Sequence, residues 1–216
     1  AAMRSAARAH FDKWALGYDR SRLNELIFYP TVRVCLEEIA RWQAGRAGAV
    51  FDFLDVGCGT GTLASLVAQQ DAARRVVGLD FSPVMIERLH EKIAAGPQPA
   101  KLEAVEGDAE HLPFEPESFD VVTCCNSFHH YPDQQQVIHD MRRVLRPGGR
   151  LMLIDGFRDN IVGWVAFDVI IGHVEKEVFH APWSRIHTYF LNAGFQDIRR
   201  RKFSFWMPGL LTVGVA

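Results

Sequence analysis

The sequence predicts a doubly wound α/β domain, and three observations carry that prediction. Short apolar runs alternate with amphipathic stretches along most of the chain, the pattern of strands joined by crossover helices. The first apolar run ends in Asp55 and then Gly57-Cys58-Gly59-Thr60-Gly61, a strand leading through a glycine turn into a helix. The last two apolar runs are separated only by Met207-Pro208-Gly209, which suits a hairpin and hence one antiparallel strand.

The elements follow in order. Two helical stretches, Arg4–Tyr18 and Thr31–Gln43, precede the first strand at Val50–Val56. A helix over Leu63–Gln70 comes next, with Thr60 or Thr62 suited to cap it. Then come a strand at Arg75–Phe81 and a helix at Pro83–Ala95, proline being favoured in a first helical turn. Gly96-Pro97-Gln98-Pro99 is a turn, too short for a domain linker. Strands are expected at Leu102–Glu106 and Phe119–Asn126. A helix over Asp133–Leu145 is stopped by Pro147-Gly148-Gly149 ahead of a strand at Arg150–Asp155. Helix Trp183–Ala193 and strands Gln196–Trp206 and Leu210–Val215 close the chain. The whole is one domain of 216 residues: a mostly parallel seven-stranded sheet, one antiparallel strand, and helices on both faces.

Composition narrows the function. A formal charge of −2 gives no electrostatic reason to expect a nucleic-acid partner. The one dense basic run, Arg199-Arg200-Arg201-Lys202, lies on an expected strand whose side chains alternate, so it reads as a solvated edge. No apolar run approaches the roughly 20 residues that span a bilayer, and no secretory signal is visible. The four cysteines, Cys35, Cys58, Cys124 and Cys125, have neither zinc-ligand spacing nor a disulfide framework, so a reducing cytoplasm is expected. His173 and His180 lack an accompanying carboxylate set, and no metal is expected there.

The glycine turn departs from a dinucleotide fingerprint. That motif needs its third glycine where Thr62 stands, and here it comes one residue early at Gly61. The segment Leu54–Gly61 instead resembles the first motif of class I S-adenosylmethionine-dependent methyltransferases. Further matches follow in the same order: Val77-Gly78-Leu79-Asp80-Phe81-Ser82, Gly107-Asp108-Ala109, Phe119-Asp120-Val121-Val122, and Leu145-Arg146-Pro147-Gly148-Gly149-Arg150-Leu151. Phe11-Asp12 and Tyr18-Asp19 are similar to the N-terminal pattern of the ubiquinone/menaquinone-type subgroup. The resemblance spans about Phe11 to Asp155 and implies a Rossmann-like methyltransferase fold.

It also implies residue roles. The donor has no phosphate, so Gly57, Cys58, Gly59 and Gly61 are wanted for close backbone approach rather than anion binding. Asp55 stands where the family keeps an acid near the methionyl ammonium. Asp80 is expected to accept both ribose hydroxyls, bonds worth roughly 1.5–3 kcal/mol each to an ionised acceptor. Phe81 is expected on the adenine face, and Asp108 with the Ala109 amide on the adenine edge. Cys125 and Asn126 end the fourth strand near the reactive methyl, and Tyr18 closes over the cofactor from a mobile N-terminal cover.

The acceptor is less legible. His129 and His130 follow the fourth strand at the carboxyl edge, where open α/β sheets bind ligands, and imidazole suits proton transfer near neutrality. Asp155 ends the fifth strand and can orient such a histidine. The fourth-strand segment Asn126-Ser127-Phe128-His129 lacks the Asn/Asp-Pro-Pro pattern of amino-methylating nucleic-acid enzymes, so a small-molecule acceptor is expected. Residues 1–43 are expected to form a helical cover. The insertion 156–182 holds an apolar stretch over 161–173 with Trp164, Phe167 and Ile171 at helical spacing. A lid over an aromatic or lipophilic acceptor and a packing or dimer face, in a monomer or homodimer, are the two readings of that stretch. Two other functions stay open at this point: a non-catalytic S-adenosylmethionine-binding subunit and a nicotinamide-dependent oxidoreductase.

Overall fold

The computed structural model describes residues 22–46, 48–156, 179, 181–203 and 208–216, with side chains from Tyr29 onward. The expected helix Arg4–Tyr18, with Phe11 and Tyr18, lies outside the described residues, as do Trp164, Phe167, Ile171, His173 and His180.

In order, the elements are α1 (Arg22–Ala44), β1 (Phe51–Val56), α2 (Thr62–Ala68), β2 (Ala73–Asp80), α3 (Pro83–Ala95), β3 (Leu102–Glu106), β4 (Phe119–Cys125), a 3₁₀ turn (Phe128–His130), α4 (Gln134–Val144), β5 (Leu145–Gly156), α5 (Trp183–Asn192), β6 (Gln196–Phe203) and β7 (Gly209–Val215). The strands form one sheet in the order β3-β2-β1-β4-β5-β7-β6, with β7 antiparallel to both neighbours and the remaining pairs parallel. The strand order reverses between β1 and β4, the switch point at whose carboxyl end open α/β sheets bind ligands.

Alternation along the central strands covers both faces. Phe51 and Phe53 of β1, Val121 of β4 and Met152 and Ile154 of β5 pack with α1, α2 and Leu89 of α3. Leu54, Val56, Val122, Cys124, Leu151 and Leu153 face the other way, toward α4, Ile186 and Phe190. Adjacent Cys124 and Cys125 therefore lie on opposite faces and cannot pair with each other.

Several boundaries differ from expectation for physical reasons. Helix α1 begins at Arg22, ahead of the expected Thr31, and runs through Pro30 although that residue has no amide to donate. Neither Thr60 nor Thr62 caps α2; Gly61 does so with φ 74°, and both threonine hydroxyls accept from Lys92 Nζ, at 2.8 and 3.3 Å. Strand β5 begins at Leu145 because Leu145 pairs with Phe119 and Arg150 with Val121, the intervening residues bulging outward. From that bulge Arg146 reaches Asp120 at 2.7 Å and the buried Asp52 at 2.9 Å. The basic run on β6 is more than a solvated edge: Arg199 pairs with buried Glu38, Arg201 with Glu37 at 3.1 Å, and Arg200 stacks 3.7 Å over Trp183. The run holds α1 and α5 to the sheet edge.

A β-carbon at Gly61 would strike Leu89 Cδ1 and lie 3.1 Å from its Cγ, in a backbone conformation side chains resist. Gly61→Ala is expected to cost about 2–4 kcal/mol through strain and overpacking. Thermal melting should then fall by roughly 5–15 °C.

Candidate active site

The glycine turn is built mainly by its own backbone. The amides of Gly57 and Cys58 both donate to Leu79 O, at 2.8 and 3.0 Å, and Gly61 N donates to Cys58 O at 2.9 Å. Gly59 N donates to Asp80 Oδ2 at 2.8 Å. Four of the five loop amides are thus used within the protein, which leaves no row of donors for a pyrophosphate. The three glycines differ in what they make room for. A β-carbon at Gly57, where φ is +69°, would lie 2.6 Å from both Ser127 Cβ and Tyr131 Oη. At Gly59, with φ +54°, it would meet nothing within 4 Å. Gly59 is the open position, the one a ligand's atoms can approach. Cys58 packs beside Gly78, and burial pushes its thiol well above the ordinary range, so it is filler rather than a nucleophile.

Around the turn stand the acids. Asp80, at the end of β2, accepts from Gly59 N and, through Oδ1, from Ser82 N at 2.9 Å. Burial raises its pKa against those bonds and one from the Phe81 amide. Asp55 is buried in β1 and accepts from Thr123 Oγ1 at 2.6 Å, the two residues being register partners across β1 and β4. Burial pushes its pKa to about 7; the Thr123 bond opposes this and the Asp80 charge adds to it. A carboxylate desolvated beside another carboxylate is suited to a cationic ligand group, as an amino-acid ammonium is. Phe81, the next residue after Asp80, is 38% exposed, an apolar ring partly facing solvent. Asp108 Oδ1 accepts from Glu110 N at 3.0 Å, and Ala109 beside it is buried. These residues fit a nucleoside with an amino-acid tail.

The other wall comes from the end of β4. Cys125 Sγ lies 3.2 Å from Cys35 Sγ of α1, and this contact, with burial, pushes the Cys125 thiol up. Asn126 follows at φ 56°, a conformation asparagine tolerates better than most residues. Its amide donates to Ile154 O at 2.8 Å and its side chain to Thr31 Oγ1 at 3.0 Å, so α1 is tied to the end of the strand.

The 3₁₀ turn then carries Phe128 inward and His129 and His130 together, ring centroids 4.1 Å apart. His129 Nδ1 lies 2.7 Å from Asp155 Oδ1, and His129 N donates to Asp155 Oδ2 at 2.9 Å. Both side chains are about 10% exposed (11% and 10%). An ionised carboxylate only accepts, so Nδ1 carries the proton and the lone pair of the neutral ring is on Nε2. Gly156 N, at 2.8 Å, also donates to Asp155, and Phe179 N donates to His129 O at 2.6 Å.

The expected residues therefore gather along one sheet edge, Tyr18 excepted. Asp55, Gly57, Cys58, Gly59, Gly61, Asp80 and Phe81 lie on one side, with Asp108 and Ala109 just beyond Gly107, whose amide donates to Asp80 O at 3.0 Å; Cys125, Asn126, His129, His130 and Asp155 lie on the other. Three participants escaped the sequence reading. Thr123 is visible only through strand register, and Ser127 and Tyr131 sit in a segment read for its histidines.

Comparison with known proteins gives the family and the fold. Residues 54–153 match the model of a methyltransferase domain family. A demethylmenaquinone methyltransferase from Listeria monocytogenes is 35% identical over 181 residues, 83% of this chain and 70% of that protein. One from Lactiplantibacillus plantarum is 27% identical over 221 residues, 90% of each. Among solved structures, magnesium protoporphyrin IX methyltransferase from Synechocystis, with S-adenosylhomocysteine bound, superposes with a TM-score of 0.74. It is 20% identical and covers 98% of this chain and 99% of that one.

Proposed function

Since this chain belongs to the class I S-adenosylmethionine-dependent methyltransferases, in the ubiquinone/menaquinone-type subgroup, we propose that its acceptor is a hydroxyl-bearing aromatic ring of quinone type. The relatives named for demethylmenaquinone support the ring, and the His129–Asp155 pair at 2.7 Å is the observation that carries the hydroxyl. A quinone ring is electron-poor and a weak nucleophile, whereas its hydroquinone becomes strongly nucleophilic on losing a hydroxyl proton.

S-Adenosylmethionine supplies, when bound, a methyl group on a sulfonium ready for in-line displacement. The residues of this chain do the rest. Asp80 holds the ribose hydroxyls, Phe81 covers the adenine, Asp108 and the Ala109 amide meet its edge, and Asp55 takes the ammonium. Cys125 and Asn126 border the methyl. His129 accepts the acceptor's hydroxyl proton at Nε2 while Asp155 fixes its tautomer and stabilises the charged ring. The ring carbon beside that hydroxyl forms its bond to the methyl as the S–CH3 bond breaks to leave S-adenosylhomocysteine. The carbon then loses its own proton to solvent, and His129 returns its proton to the oxygen, one proton being released per turnover. This reading assigns the insertion 156–182 and the N-terminal cover 1–43 to the acceptor side, with Tyr18 closing over the cofactor. Four free cysteines fit the expected reducing compartment. Among the described residues no helix is long and apolar enough to cross a membrane. The nicotinamide alternative requires a phosphate cradle that the loop amides do not offer, and a purely binding role leaves the dyad without a task.

The test is S-adenosylhomocysteine formation with a lipophilic naphthoquinone supplied reduced, oxidised, or reduced with both hydroxyls blocked as ethers. Turnover with the reduced compound alone is expected. Equal turnover with the blocked compound contradicts the proposal.

Asp55 gives a second expectation. Its pKa of about 7 lies above the ordinary 3.8, so the proton it holds contributes stability that is fully present below about pH 4 and lost as pH rises through 7. A bound ammonium favours the carboxylate, so binding releases that proton below pH 7. Affinity for S-adenosylhomocysteine should therefore rise between about pH 5 and pH 7 and level off above. Asp55→Asn should lose this dependence and bind more weakly. The free variant should melt higher than the wild type at about pH 8, with up to about 4 kcal/mol of desolvation relieved.

A further inference from the structure

The first glycine of the donor turn is filled by the protein, and what fills it belongs to the segment that carries the histidines. Ser127 and Tyr131 flank the 3₁₀ turn as its N- and C-terminal caps, with His130 N donating to Ser127 O at 3.0 Å and Tyr131 N to Phe128 O at 3.2 Å. Their side chains converge on Gly57. Tyr131 Oη donates to Ser127 Oγ at 3.3 Å, and Ser127 Oγ donates to Val56 O at 3.3 Å, the carbonyl just ahead of the glycine. A β-carbon on Gly57 would press into Ser127 Oγ and lie 2.6 Å from Tyr131 Oη. Gly57 is therefore a socket, and the hydroxyl pair is the plug.

We propose that Ser127 and Tyr131 are positioning residues that lock the His129-bearing turn to the donor loop, so that donor binding sets the orientation of His129. The residues between them have little freedom to move independently. His129 is fixed to β5 through two bonds to Asp155, and the turn is fixed to β1 through Ser127 and Tyr131. A shift of the Gly57–Gly61 loop when a donor enters beside open Gly59 is passed through this plug to the imidazole. Burial pushes the Tyr131 hydroxyl well above its ordinary range, so it stays a donor at every working pH. Nothing in this geometry requires either residue to touch a reacting atom.

The inference rests on the proposed role of His129 only for its effect on turnover; the coupling itself has separate readouts. Tyr131→Phe keeps the buried ring and removes only the hydroxyl, and Ser127→Ala removes the other half of the plug. Three measurements are made on the full chain: S-adenosylhomocysteine affinity by calorimetry, the His129 imidazole resonance with and without that ligand, and kcat against KM. For Tyr131→Phe, affinity should fall about three- to tenfold, the worth of one neutral hydrogen bond. The ligand-induced change at the His129 resonance, assigned by its loss in His129→Ala, should largely disappear. Turnover should fall in Tyr131→Phe while KM for the acceptor stays near that of the wild type. Combining Tyr131→Phe with His129→Ala should cost no more turnover than His129→Ala alone, because the hydroxyl acts through the imidazole.

Affinity within twofold of the wild type with an intact His129 response overturns the proposal. So does weakened affinity with an intact response, which leaves the pair serving the donor loop alone. If His129→Ala turns over normally, the base assignment fails, while the calorimetric and resonance changes still decide whether the plug couples loop and turn. Ser127→Ala provides the same readouts if Tyr131→Phe folds poorly.

Discussion

Asp80→Ala is expected to weaken S-adenosylhomocysteine binding by about 10²–10⁴-fold. Two hydrogen bonds to an ionised acceptor are lost, each worth roughly 1.5–3 kcal/mol. The residue also serves the loop, since its oxygens accept from Gly59 N at 2.8 Å and Ser82 N at 2.9 Å. Removing it loosens the position that faces open space. The fold should tolerate the change, because burial already raises the Asp80 pKa and the alanine carries no desolvated charge. Calorimetry should show the affinity loss while the melting temperature moves by only a few degrees. Asp80→Asn should fall between, keeping one acceptor oxygen without the charge. An alanine variant that binds within about threefold of the wild type removes Asp80 from the donor site.

His129→Ala divides the two halves of the site in the opposite sense. General base catalysis by a positioned imidazole contributes about 10²–10⁴-fold, and kcat should fall by that factor. S-Adenosylhomocysteine affinity should stay within about twofold, since no predicted donor contact involves this ring. Asp155→Asn keeps the imidazole but loses the charge that fixes its tautomer at 2.7 Å, so it should lose a large part of the same factor. The wild-type rate should rise with pH as the imidazole deprotonates, and His129→Ala should lose that limb. A kcat unchanged by His129→Ala means the acceptor needs no base here.

Much of this arrangement was legible in the chain because local patterns specify it. The alternation of Phe51, Phe53, Leu54 and Val56 gives a strand covered on both faces, and the early Gly61 separates this turn from a dinucleotide cradle. Asp80 and Asp55 were readable because strand ends meet at the carboxyl edge whatever the loops do. The partnerships were not readable, since they depend on register and on segments far apart in sequence. Thr123 becomes the partner of Asp55 only through the pairing of β1 with β4. Glu37 and Glu38 meet Arg201 and Arg199 only when α1 docks against β6, so the basic run looked merely solvated. The three glycines looked equivalent in sequence. In three dimensions Gly57 receives Ser127 and Tyr131, Gly61 receives Leu89, and Gly59 alone faces open space.

The most direct measurement is a crystal structure with S-adenosylhomocysteine and a reduced naphthoquinone analogue bound together. The account predicts the ribose hydroxyls on the Asp80 carboxylate, the sulfur passing Gly59, and an acceptor hydroxyl within hydrogen-bond distance of His129 Nε2. An acceptor seated with its hydroxyls away from His129, its reactive carbon still facing the sulfur, would contradict it.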